Sequence, residues 1–139
     1  MTAEFAHFHS FRVRFAEVDA QAVVFNSRYL EYADIVLTEF MRAADVPILG
    51  PDSFEMHVVQ ANVQYRQPLR LDDAVEGWMR IDRIGRSSIA FEVELRPAGT
   101  AMASAVIVLH YVHVDLATGK SAEIPPMIRA RLESCPAGR

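Results

Sequence analysis

Only one stretch of this chain carries the pattern of a long amphipathic helix, and most of what surrounds it reads as strand. Between residues 28 and 44, Tyr29, Ala33, Val36, Leu37, Phe40 and Met41 recur at helical spacing and fall on one face. Glu31 and Asp34 lie early and Arg42 late, the charge order a helix dipole favours. Asn26 or Ser27 is placed to cap the start, and Pro47 forbids continuation. A helix with a single apolar stripe needs one sheet face to bury it.

Five segments predict strands. Phe11, Val13 and Phe15 alternate with Arg12 and Arg14 over residues 11–15. Residues 57–65 set His57, Val59, Ala61, Val63 and Tyr65 against Val58, Gln60, Asn62 and Gln64, with Pro68 beyond. A third strand covers 75–84 and ends in a hairpin at Gly85. The fourth is the cleanest, with Ile89, Phe91, Val93 and Leu95 alternating with Ala90, Glu92, Glu94 and Arg96. Residues 101–115 alternate little, which predicts a strand buried on both faces at the middle of the sheet. Residues 127–132 suggest a short final helix. Strand, helix and then hairpin-linked strands give an α+β domain, an antiparallel sheet wrapped around one central helix, with edges that a second copy can pair.

The bulk properties narrow the function. The 139 residues fit one domain, and 14 Lys and Arg against 18 Asp and Glu leave a formal charge of −4. No basic block stands out, which argues against nucleic acid as a partner. The first nine residues lack the basic leader and apolar run of a secretory signal, and the apolar run over residues 101–109 is too short to span a bilayer. With one cysteine, Cys135, no disulfide can form within the chain, so the expected compartment is the cytoplasm.

Asp19 is the leading candidate for chemistry. It lies between the first strand and the helix, where a carboxylate can act as base or nucleophile beside amides that would stabilise an oxyanion. Glu17 has the same chemistry but reads better as a solvated or loop-bracing carboxylate. His110 and His113, three apart on a strand, point to opposite faces and cannot share a metal. Gly-x-Ser-x-Gly is absent, and with it the serine hydrolase elbow.

The stretch Arg14-Phe15-x-Glu17-x-Asp19-Ala20-Gln21-x-Val23-Val24-Phe25-Asn26-x-Arg28-Tyr29-Leu30-Glu31-Tyr32 resembles the hotdog-fold acyl-CoA thioesterases of the 4-hydroxybenzoyl-CoA thioesterase type. Val63-x-Tyr65-x-x-Pro68-x-Arg70-x-Asp72-Asp73, Ile84-Gly85-x-Ser87-Ser88 and Val112-x-Val114-Asp115 extend the resemblance. It implies a single hotdog domain over 1–139, with a core at about 8–132 and a five-stranded antiparallel sheet around the long helix. It implies hydrolysis of an acyl-CoA thioester, with Asp19 as general base or nucleophile. Sites would lie at a homodimer interface, and two such dimers commonly form a homotetramer.

Asn26 joins Asp19 as a catalytic candidate, because the amides around Asn26, Ser27 and Arg28 would polarise the carbonyl. Phe25, Ser27 and Tyr29 are the expected substrate contacts. Arg83, Arg86, Ser87 and Ser88 are candidates for the coenzyme A phosphates, with Arg66 and Arg70 behind them. No metal or separate cofactor is expected, since coenzyme A is part of the substrate, and no membrane insertion. The alternatives are a non-hydrolytic acyl-CoA-binding protein and a hotdog enoyl-CoA hydratase or dehydratase. The second pairs an acid with a nearby histidine, and none follows Asp19 before His57. One departure stands out: Ala22 occupies a position where such proteins often carry glycine.

Overall fold

A computed structural model describes residues 4–135; Met1–Ala3, part of the stretch read against a secretory leader, and residues 136–139 lie outside it. The strands are β1 (Ala6–Arg12), β2 (Met56–Tyr65), β3 (Ala74–Ile84), β4 (Ser88–Pro97), β5 (Ala105–Asp115) and β6 (Lys120–Ser121). The helices are α1 (Arg28–Ala43) and α2 (Pro126–Glu133), and a 3₁₀ turn spans Phe15–Glu17. Five long strands form one antiparallel sheet in the order β1-β3-β4-β5-β2, and the two-residue β6 pairs with the end of β5. This is the sheet around one long helix expected of a hotdog fold.

The helix stripe explains the layering. Tyr29, Tyr32, Ala33, Val36, Leu37, Phe40 and Met41 are all buried. They meet the inward residues of β4, Ile89, Phe91, Val93 and Leu95, all essentially inaccessible. Phe40 contacts both Phe91 and Phe8 edge-on. The alternate residues of β4 face the other way, where Arg80 pairs with Glu92 at 2.7 Å and Arg96 with Glu94 at 2.9 Å. α1 stops before Pro47 is reached, because Asp45 turns left-handed at φ 58° and the Val46 amide bonds back to the Met41 carbonyl.

Three expectations need correction. The first strand lies earlier than residues 11–15: it ends at Arg12, and Phe15 opens the 3₁₀ turn with most of its ring exposed. The alternation there was a strand running into a turn, so only Phe11 and Val13 face the interior. The fifth strand begins at Ala105, because residues 101–104 form the turn before it, and β4 rather than β5 is central. Neither Asn26 nor Ser27 caps α1 through its side chain. Ser27 is already helical in backbone (φ −69°, ψ −20°), and the Phe25 carbonyl takes the Arg28 amide at 2.9 Å.

The seat of α1 on the sheet depends on Gly77. A Cβ there would stand 2.3 Å from Cγ2 of Val36, so the missing side chain sets how closely helix and β3 approach. Gly77→Ala is expected to cost about 1–3 kcal/mol through overpacking, read as a lower midpoint in urea denaturation; an unchanged midpoint would show that the helix is free to shift away.

Candidate active site

The chain between β1 and α1 folds back on itself as a short hairpin. Val18 and Val24 form an isolated antiparallel bridge, and the Asp19 amide bonds the Val23 carbonyl at 2.9 Å. Ala22 closes the tip by donating to the Asp19 carbonyl, also at 2.9 Å. The returning arm is fixed to the segment after β2: Val24 donates to Leu69, Leu71 donates to Ala22, and Val23 bridges Arg70. Asp19 is therefore held by backbone on both sides while its side chain stays exposed. One carboxylate oxygen accepts from the Gln21 amide at 2.8 Å, which leaves the other to meet a reactant.

The two carboxylates of this segment have opposite surroundings. Glu17 is 5% exposed. One of its oxygens accepts from the Arg14 amide and the Tyr32 hydroxyl, each at 2.8 Å, and the other accepts from Nε and Nη2 of Arg14 at 3.1 and 2.8 Å. Every good acceptor direction is filled, so Glu17 is the brace of the loop and not its base. Burial pushes its carboxyl up, but the hydrogen bonds from Arg14 and Tyr32 more than offset this and hold it below the usual glutamate value. Burial and then the Glu17 contact push the Tyr32 hydroxyl well above the ordinary tyrosine range, so it remains a donor. The Glu17 carbonyl accepts the Phe25 amide at 3.0 Å, carrying the brace through to the start of α1.

At that start Phe25, Asn26 and Ser27 are exposed. The Arg28 amide, grouped with its neighbours in the sequence reading, is spent on Phe25. Among the described residues, the amides of Asn26 and Ser27 have no acceptor, and neither has the Asn26 side chain. Tyr29 lies in the core, its hydroxyl accepting the Leu69 amide at 3.2 Å. The hydroxyl of Tyr65, the last residue of β2, donates to the Asn26 carbonyl at 3.0 Å, and its ring stands edge-on to Tyr29. Sequence reasoning missed Tyr65 as part of this site. Its strand pattern was legible, but a bond to a carbonyl 39 residues away leaves no periodic trace.

Asp19, Phe25, Asn26 and Ser27 thus share one end of the molecule. Arg83, Arg86, Ser87 and Ser88 do not join them within one chain. The β4 rung at Leu95 leads through Ala105 to Tyr65, whereas the rung at Ser88 leads through Val112 to His57. From His57 to Tyr65 is roughly 25 Å along β2. Arg83 and Arg86 are exposed there, while the carbonyls of Ser87 and Arg86 are occupied by the amides of His113 and Ile124. A cavity of about 600 Å³ lined by Phe8, Phe40, Met79, Ile81, Arg83 and Leu132 lies at the C-terminal end of α1, also away from Asp19. Among the described residues no His, Cys, Asp or Glu cluster could hold a metal, and no helix is long and apolar enough to cross a membrane.

A family model described as the thioesterase-like superfamily matches residues 13–132. The chain is 29% identical over 125 residues to the long-chain acyl-CoA thioesterase FadM of Escherichia coli (strain K12), covering 88% of this chain and 93% of that protein. The fold is shared with a 1,4-dihydroxy-2-naphthoyl-CoA thioesterase from Synechocystis (TM-score 0.84, 17% identity, 94% and 97% of the two chains). It is also shared with a predicted thioesterase from Bacillus stearothermophilus (TM-score 0.84, 20% identity, 98% and 99%).

Ala22 has φ 63°, the left-handed region that an alanine adopts at a cost of roughly 1–2 kcal/mol. Ala22→Gly relieves that strain but frees the unfolded chain, so a net gain of about 0.5–1 kcal/mol is expected, measured as a raised denaturation midpoint; a lowered one would show that Ala22 is not strained. Glu17→Gln should destabilise by about 2–3 kcal/mol at neutral pH. Because the folded pKa of Glu17 lies below its ordinary value of 4.5, its contribution is complete well above that pH and is lost as pH falls through the folded pKa. The gap between wild type and Glu17→Gln should therefore narrow as pH falls below 4.5 and through the folded pKa; denaturation curves that stay equally separated at acidic and neutral pH would remove the charge from the account.

Proposed function

The chain belongs to the thioesterase-like superfamily, and from that premise we propose that it hydrolyses an acyl-CoA thioester to the free acid and coenzyme A. The observation that carries this reading is the pairing of an exposed, backbone-held carboxylate at Asp19 with the amides of Asn26 and Ser27 at the start of α1, which have no acceptor among the described residues. A thioester carbonyl directed at those amides would be polarised by them and by the positive end of the helix. Asp19 then has two routes. As a general base it takes a proton from water, whose oxygen adds to the carbonyl carbon before the thiolate leaves. As a nucleophile it forms an acyl-aspartyl anhydride, expels the thiolate and is released by water. Either route ends with one acid, one thiol and an unchanged carboxylate.

A second copy of the chain would complete the site. β2 is a ten-residue edge strand, and Val58 and Val59 at its bulge are 55% and 64% exposed. An edge this long and apolar is a template for pairing. Antiparallel pairing of two β2 strands would set the His57 end of one copy beside the Tyr65 end of the other. That arrangement carries Arg83, Arg86, Ser87 and Ser88 of the second copy toward the first copy's Asp19, within reach of the long pantetheine arm and phosphates. Phe25 would contact the acyl group beside Asn26 and Ser27, with Tyr29 behind them, and two such dimers would form a tetramer. The hydratase reading pairs the acid with a histidine a few residues on, and none follows Asp19 before His57.

The test is release of free thiol from short, long and aromatic acyl-CoAs, with wild type and Asp19→Asn compared and the mass of the active species measured by light scattering. Turnover by wild type is expected to fall about 10³-fold in the variant with the fold intact. Undiminished turnover in Asp19→Asn would remove Asp19 from the mechanism, absence of thiol release from every substrate would remove hydrolysis, and an active monomer would remove the shared site.

A further inference from the structure

We infer that Tyr65 is a positioning residue for the oxyanion donors, acting through the peptide groups on either side of Asn26; this rests on the reading of the Asn26 and Ser27 amides as those donors. The argument is one of peptide geometry. Each amide N–H shares a rigid plane with the carbonyl of the preceding residue. The Asn26 N–H shares its plane with the Phe25 carbonyl, and the Ser27 N–H shares its plane with the Asn26 carbonyl. Both carbonyls are held from behind, that of Phe25 by the Arg28 amide at 2.9 Å and that of Asn26 by the Tyr65 hydroxyl at 3.0 Å. The two N–H groups on the opposite sides of these planes both lack an acceptor among the described residues. Holding the carbonyl fixes where the N–H points, and a hydrogen bond to a carbonyl also polarises the N–H across the same peptide.

The two anchors differ in kind. Arg28 belongs to α1 itself, so its bond to Phe25 comes with the helix. Tyr65 is the external anchor, supplied by the last residue of β2, and it is the one a side-chain change can remove. Its ring is kept in place by the edge-on contact with Tyr29 at 5.0 Å, and Tyr29 is itself fixed through its hydroxyl to the Leu69 amide. The Asn26 carbonyl also receives the Tyr29 amide, but at 3.4 Å, a longer contact than the 3.0 Å bond from Tyr65. Loss of the hydroxyl would leave the Asn26–Ser27 plane held by that weaker contact alone.

Tyr65→Phe keeps the ring and its packing and deletes only the donor. The expected result is a kcat lowered about tenfold, the weight of one net hydrogen bond and short of the ~10²–10³-fold typical of deleting an oxyanion donor itself. KM and the thermal midpoint should stay close to wild type. A role in packing alone would instead move the midpoint, and a direct contact with bound substrate would move KM. A second measurement needs no turnover. In the Asp19→Asn background, the thioester carbonyl stretch of bound acyl-CoA should lie below its frequency in water, and adding Tyr65→Phe should reverse part of that shift. Wild-type kcat in Tyr65→Phe together with an unmoved carbonyl band overturns the inference. If Asp19→Asn is inactive while Tyr65→Phe matches wild type, the hydrolytic reading stands and only this inference falls. If neither variant loses activity, the Asp19 assignment falls together with this inference, whereas only absence of thiol release from every substrate removes the hydrolytic reading itself.

Discussion

One helix must bury its apolar stripe against the inward face of five strands, and most of the architecture is a response to that mismatch. β1, β3 and β4 pack on α1, and Gly77 leaves room for Val36. The inward residues of β4 and the outer ladder of Arg80, Glu92, Glu94 and Arg96 then follow from simple alternation. A single helix runs out of width before it reaches the last strand. β2 is paired on one side and exposed on both faces, and the N-terminal end of α1 lies open beside its final residue.

Within the loop at that open end, two carboxylates two residues apart have been given separate tasks by burial. Glu17 is desolvated but surrounded by donors, so its charge is consumed in holding Arg14 and Tyr32. Asp19 has an exposed side chain on a backbone bonded to Val23 and Ala22, in a hairpin whose returning arm is tied to Leu69 and Arg70. The division is physical: a fully satisfied anion makes a good strut and a poor base, and the converse holds for a half-satisfied one. Ala22 shows how tightly the loop is drawn, since the chain accepts a left-handed alanine to close it.

The sequence revealed what periodicity encodes. The helix was predicted to within a residue at its C-terminal end because six apolar positions repeat at 3.6, and β4 because four repeat at 2. The first strand was placed too late because Phe15 continues the alternation after the backbone has already left the sheet. β5 was set at the centre because low alternation indicates burial but does not say which neighbours supply it. Asp19, Phe25, Asn26 and Ser27 could be grouped because they are neighbours in sequence. Tyr65 and the exclusion of the Arg28 amide could not be read, since one depends on a distant contact and the other on which carbonyl a turn happens to present.

The tie between Tyr65 and Asn26 has a further consequence for how the molecule comes together. β3, β4 and β5 are joined by short turns and can pair with little loop entropy. The Asp19 end is different: Asn26 waits for Tyr65, 39 residues later, Tyr29 waits for Leu69, and β1 waits for β3. Closing long loops is entropically harder and slower than zipping hairpins. The proposed site therefore lies where the contacts close the longest loops, the kind that form late, and an intermediate with most of the sheet can precede that end.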